Sequence, residues 1–123
     1  MRLLTIGIGG FFGAIARYLI SGLVTALDGS LFPLGTLAVN LSGSLFLGFV
    51  YTIMTDKLVI DPYWRLLIAV GFIGAFTTFS TFSYETVKLM ESGSFSLAFI
   101  NITVSLVGGI TAVYIEIVLA RLL

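Results

Sequence analysis

Between Gly71 and Ser83 the sequence runs Gly71-Phe72-Ile73-Gly74-Ala75-Phe76-Thr77-Thr78-Phe79-Ser80-Thr81-Phe82-Ser83, which interleaves phenylalanine with five hydroxyl residues. Nothing in this run ionises near neutral pH. The chemistry open to it is therefore that of neutral ligands: hydroxyl protons, aromatic ring edges and backbone carbonyls. Phe79 and Phe82 are three apart and share a helix face, with the hydroxyls of Thr78 and Thr81 on an adjacent one. A ring edge carries the positive end of the aromatic quadrupole, so edges turned toward a path favour a small anion without trapping it. Conduction needs binding strong enough to admit an ion and weak enough to release it. The same spacing also serves plain packing. Gly-Ala-Phe-Thr-Thr has low helix propensity, and its hydroxyls can re-satisfy backbone groups freed by a local break. Carbonyls exposed at such a break are ready cation ligands.

Other polar residues stand inside apolar surroundings. Arg17 lies within the first apolar stretch with no acid within a turn or two. A charge at the centre of a membrane helix costs about 2.5 kcal/mol or more, so Arg17 either faces an anion path or snorkels to an interface. Asn40 sits in Gly35-Thr36-Leu37-Ala38-Val39-Asn40-Leu41-Ser42-Gly43-Ser44. Its amide serves either interhelical hydrogen bonding or a polar cavity. Asn101, Ser105 and Gly109 fall at i, i+4 and i+8, a single stripe that is either a polar track or helix contact.

The elements that must position these groups follow from composition. Of 123 residues, 59% are hydrophobic and 10% charged, far from soluble usage. A lipid bilayer is the expected solvent. Six Lys and Arg balance six Asp and Glu and are scattered, which argues against nucleic acid as a partner. The absence of Cys and His excludes disulfides, thiol nucleophiles, Ser-His dyads and the usual zinc sites, so the chain reads as a non-enzyme. Asp28, Asp56, Asp61, Glu85, Glu91 and Glu116 read mostly as solvated loop or helix-end charges.

Four apolar stretches, approximately 3–26, 34–55, 63–90 and 95–120, are each long enough to span a bilayer. The spacing predicts an all-α membrane protein, one transmembrane domain over 1–123. Asp28-Gly29-Ser30 with Pro33, Asp56-Lys57 through Asp61-Pro62, and Glu91-Ser92-Gly93-Ser94 carry the turns. Asp61-Pro62 reads as an N-cap with a first-turn proline. Ala14-Ile15-Ala16 imitates a signal-peptide cleavage site, but apolar sequence resumes from Leu19 to Leu27, so the first stretch reads as a span. Small residues four apart, such as Gly9 with Gly13 and Gly71 with Ala75, allow close helix approach. An even number of spans puts Arg2, Lys57, Arg65 and Arg121 on one side and Lys88 near the other, which favours cytoplasmic termini.

Taken together, these residues resemble the CrcB/Fluc family of small fluoride channels over essentially the whole chain. The most specific part is Gly74 through Ser83, supported by Gly13-Ala14-Ile15-Ala16-Arg17-Tyr18 and by Gly35-Thr36 through Asn40 with Gly43. The resemblance implies four transmembrane helices with a break in the third, assembling as an antiparallel dual-topology dimer with two pores. It implies that Phe79 and Phe82 are pore phenylalanines, that Asn40 supplies a pore-facing amide, and that Thr81 and Ser83 add hydroxyls. It further implies that backbone carbonyls of Gly74 and Thr77 hold a structural sodium ion at the dimer centre, with Asn101 and Ser105 in a fourth-helix polar track. Gly109 stands where some members carry another hydroxyl. The charge bias is a second departure, since members inserting both ways have nearly balanced loops. It makes an oppositely oriented paralogue an alternative to a second copy as partner.

The expected activity is passive export of fluoride through the plasma (cell inner) membrane. Hydrogen fluoride crosses membranes and dissociates in the less acidic cytoplasm, and the anion then leaves down its gradient. A small multidrug exporter has similar length but needs an intramembrane acid, whereas the first helix carries Arg17 and Glu85 and Glu116 lie toward helix ends. A non-conducting scaffold needs only the small-residue seams and leaves the third-helix hydroxyls and phenylalanines unexplained.

Overall fold

The computed structural model describes residues 1–57 and 60–123 and is all-helical. Helix α1 spans Arg2–Asp28 and α2 spans Leu34–Thr52, continuing as a π-helical turn over Ile53–Lys57. The third long element is composite: α3 (Pro62–Arg65), a π-helical segment (Leu66–Ile73), α4 (Gly74–Phe76) and α5 (Phe79–Glu91). Helix α6 spans Phe95–Leu122. Four helical stretches, Arg2–Asp28, Leu34–Asp56, Pro62–Glu91 and Phe95–Leu122, are long and apolar enough to cross a membrane, so the chain is a multi-pass membrane protein. Leu58 and Val59 of the middle loop lie outside the described residues, as does the side chain of Lys57.

Local chemistry explains the ends. Gly29 closes α1 in the left-handed conformation (φ 63°), its N–H returning to the Thr25 carbonyl, where a side chain would be strained. The Asp61 carboxylate accepts from Tyr63 N–H at 2.9 Å with Pro62 in the first turn, so the sequence signal for this start holds. Arg121 Nε stands 3.7 Å from Asp56 Oδ2, which brings the end of α6 and the middle loop to the same end of the bundle.

Glycines set how closely helices approach. A Cβ at Gly9 would overlap the Leu67 carbonyl oxygen, one at Gly13 the Phe72 carbonyl oxygen, and one at Gly71 would lie 2.7 Å from the Ile6 carbonyl. Helix α1 therefore lies backbone to backbone against the π-helical segment, the small-residue seam anticipated from the spacing. Gly13→Leu is expected to destabilise this seam by about 1–3 kcal/mol or more, because a backbone carbonyl has no rotamer to give. A fall in melting temperature in detergent checks it.

Candidate functional site

Helix α4 ends at Phe76, and the next two residues are extended: Thr77 at φ −82°, ψ 157° and Thr78 at φ −150°, ψ 118°. Backbone polar groups freed there need partners, because lipid offers none. Thr77 N–H reaches the Ile73 carbonyl at 3.1 Å. Thr78 N–H donates to Asn40 Oδ1 at 2.7 Å, and Asn40 Nδ2 donates back to the Thr78 carbonyl at 2.9 Å. The amide thus pairs with Thr78 as a neighbouring strand would. Thr78 Oγ1 then caps α5 by accepting from Thr81 N–H at 3.2 Å. Arg17 Nη1 donates to the Thr77 carbonyl at 3.3 Å.

Two cavities meet this segment. The first, about 240 Å³, is lined by Asn40, Ser44, Thr77, Thr78, Phe79, Phe82 and Ser105 among others, and among the described residues it holds no ionisable side chain. The Phe79 and Phe82 rings lie 5.6 Å apart, tilted by 46°. They differ in burial, with Phe82 8% exposed and Phe79 74% exposed, so the shared face ends at the edge of the chain. Ser105 Oγ is buried without a hydrogen-bond partner among the described residues. A buried hydroxyl left unpaired is uncommon and marks a place where a polar partner would be favoured.

The second cavity, about 200 Å³, is lined by Arg17, Tyr18, Ser21, Thr36, Thr78 and Thr81 together with Ala14 and Val39. Five hydroxyl-bearing residues and one arginine line it. Thr78 is common to both cavities.

The residues singled out from sequence therefore divide. Asn40, Phe79, Phe82 and Ser105 come together in the first cavity, and Arg17 and Thr81 in the second. Ser83 Oγ turns back to the Phe79 carbonyl at 2.9 Å. Asn101, 1% exposed, donates to Thr86 Oγ1 at 2.9 Å, and Thr86 Oγ1 donates to the Phe82 carbonyl at 2.7 Å. Asn101 and Ser105 thus share a helix stripe but not a cavity. Gly74 ends the π-helical segment as the first residue of α4.

Sequence reasoning missed Thr36, Tyr18, Ser21 and Ser44 as lining residues, since hydroxyls near a helix start or along α1 carry no signal of their own. It also read Glu85 as a helix-end charge. In the structure Glu85 lies mid-α5, half-buried, accepting from Thr36 Oγ1 at 2.8 Å, with Oε2 buried and unpartnered among the described residues. Glu85 does lie toward the C-terminal end of the third span, which closes at Glu91; what the sequence did not show is that its carboxylate is held beside Thr36 rather than solvated.

Comparison with known proteins covers nearly the whole chain. Residues 4–117 match the family described as "CrcB-like protein, Camphor Resistance (CrcB)". A protein of Magnetococcus marinus named "Fluoride-specific ion channel FluC" is 45% identical over 123 residues, covering 100% of both chains. Proteins with the same name from Methanocaldococcus jannaschii and Solibacter usitatus are 52% and 41% identical, covering 97% and 98% of this chain and 94% and 99% of their own. With a family match over most of its length and relatives of this similarity end to end, the chain belongs to the CrcB family.

Proposed function

We propose that this chain is a fluoride-selective channel through which cytoplasmic fluoride leaves passively, and that it works as an antiparallel dimer, with itself or with an oppositely oriented paralogue. The observation that carries the reading is the first cavity, whose lining brings together two phenylalanines, Asn40 and Ser105 with, among the described residues, no ionisable group. Its relatives' name, fluoride-specific ion channel, supplies the ion.

Fluoride is small and strongly hydrated, so a path must replace its water with donors at low desolvation cost. Asn40 keeps one Nδ2 proton after serving the Thr78 carbonyl, and Ser105 keeps its hydroxyl proton. The Phe79 and Phe82 edges add partial positive charge that no proton exchange can quench. Arg17 and the Thr81 hydroxyl, in the second cavity, raise the local concentration of anions. Ser83 and Asn101 support the path, Asn101 through Thr86 and the Phe82 carbonyl. Because the lining is neutral, the ion is admitted without being trapped.

The break at Thr77 and Thr78 also fits a structural sodium ion. Thr78 N–H turns to Asn40, so the donor that would close a helical bond to the Gly74 carbonyl is engaged elsewhere. Among the described residues the Thr77 carbonyl accepts the 3.3 Å bond from Arg17, which leaves it a second lone pair. Hard carbonyl oxygens suit a hard cation. Two are too few for sodium, so the second subunit must supply the rest, and the ion when bound would neutralise the paired breaks. Purification in N-methylglucamine in place of sodium is expected to lower the melting temperature of the dimer. Unchanged melting removes the ion from the reading.

The same reading puts the channel in the plasma (cell inner) membrane, and the excess of Arg and Lys at the end holding both termini supports cytoplasmic termini for a chain that inserts one way. The test is anion efflux from proteoliposomes, followed with fluoride and chloride electrodes under matched gradients. Rapid fluoride efflux with little chloride is expected. No flux from a folded dimer, and none after co-reconstitution with an oppositely oriented paralogue, leaves only a scaffold.

A further inference from the structure

We infer that Asn40 and Gly43, three apart on one face of α2, are positioning residues that mould Thr77 and Thr78 into their extended conformation and so aim Phe79. Asn40 grips Thr78 through both backbone groups, at 2.7 and 2.9 Å. Gly43 makes room beside it: a Cβ there would overlap Thr77 Cγ2 and lie 3.2 Å from Phe76 Cδ1. Thr77 cannot swing away freely, because its Oγ1 is bonded to the Ile73 carbonyl at 3.2 Å. One face of α2 therefore both pulls the chain at Thr78 and leaves space for it at Thr77.

Phe79 is the first residue of α5, so its direction is set by the two dihedral pairs just before it. The ring itself is 74% exposed and has little packing of its own to hold it. Asn40 thus acts on the ion path mainly through the backbone, and only its remaining Nδ2 proton is free to meet an ion. This part rests on the channel reading, whereas the mould itself does not.

The test uses Gly43→Ala, Asn40→Leu and the double variant Gly43→Ala with Thr77→Ser, in the full-length protein in proteoliposomes. Two readouts are taken: hydrogen exchange of the backbone across 76–79 and fluoride efflux. Gly43→Ala and Asn40→Leu are expected to speed exchange at Thr78 by about three- to tenfold, the range that the loss of one hydrogen bond supports, and to lower efflux. Thr77→Ser removes the clashing methyl and keeps the hydroxyl, so the double variant is expected to regain both. Circular dichroism confirms that each variant keeps its helices. Unchanged exchange at Thr78 in both single variants, or no recovery in the double variant, overturns the mould. Faster exchange with undiminished efflux overturns the positioning role. If the unaltered protein carries no fluoride, the channel reading falls, and exchange at Thr78 still decides the mould.

Discussion

Replacing both Phe79 and Phe82 with leucine is expected to reduce fluoride efflux about ten- to a hundredfold while leaving the protein folded. Edge-to-face aromatic pairs, which use the same quadrupole, are worth about 0.5–1.5 kcal/mol beyond their area, and a ring edge on the ion is taken to be of that order. Losing two raises the barrier by about 1–3 kcal/mol, and each 1.36 kcal/mol is tenfold in rate. Leucine keeps most of the apolar bulk, so what is removed is the polarised ring edge. Undiminished conduction in the double variant sinks the ring-edge mechanism and leaves the hydroxyls and amide to carry the anion alone.

The single variants separate two roles that the sequence gives equal weight. Phe82 is buried at 8% exposure, and its carbonyl receives the Thr86 hydroxyl that Asn101 orients. Phe82→Leu is therefore expected to lower both efflux and melting temperature. Phe79 is 74% exposed in the isolated chain, so Phe79→Leu is expected to lower efflux with little change in monomer stability. Equal stability losses would mean that Phe79 is held by packing that the isolated chain does not show.

Where each residue's task is fixed by its own neighbours in sequence, the sequence was legible. Runs of apolar residues marked the spans because hydrocarbon thickness sets their length, and Asp61-Pro62 marked a helix start because the cap is made within three residues. Gly9, Gly13 and Gly71 marked a close seam because only small residues permit one. Illegible were the tasks assigned across the bundle. Nothing local says that the Asn40 amide spends two of its hydrogen bonds on Thr78, 38 positions away. Nothing local distinguishes Asn101, which faces Thr86, from Ser105 on the same stripe, which faces a cavity. Nothing local says that Glu85, toward the end of its span as its position suggested, is half-buried and bonded to Thr36, 49 positions away.

Arg17→Gln is expected to slow fluoride efflux about tenfold or more at low salt without destabilising the fold. A charge focused by low-dielectric walls raises local counter-ion concentration and on-rates by about 10- to 1,000-fold. The second cavity provides such a setting, with one guanidinium among the hydroxyls of Tyr18, Ser21, Thr36, Thr78 and Thr81. Stability moves the other way. A charged arginine in a span costs about 2.5–3.5 kcal/mol on insertion scales; glutamine removes the charge and leaves a neutral amide to be satisfied, while the single 3.3 Å bond to the Thr77 carbonyl returns less than the charge costs. Lower flux with unchanged or raised melting temperature therefore identifies a residue kept for attraction rather than for folding. The flux deficit should shrink as salt rises, because the Debye length falls from about 10 Å at 0.1 M to about 3 Å at 1 M. Arg17→Lys keeps the charge and is expected to keep most of the rate, although a compact ammonium offers fewer fixed donors than the guanidinium fork. Full efflux from Arg17→Gln at low salt would return Arg17 to a snorkelling residue at the membrane interface.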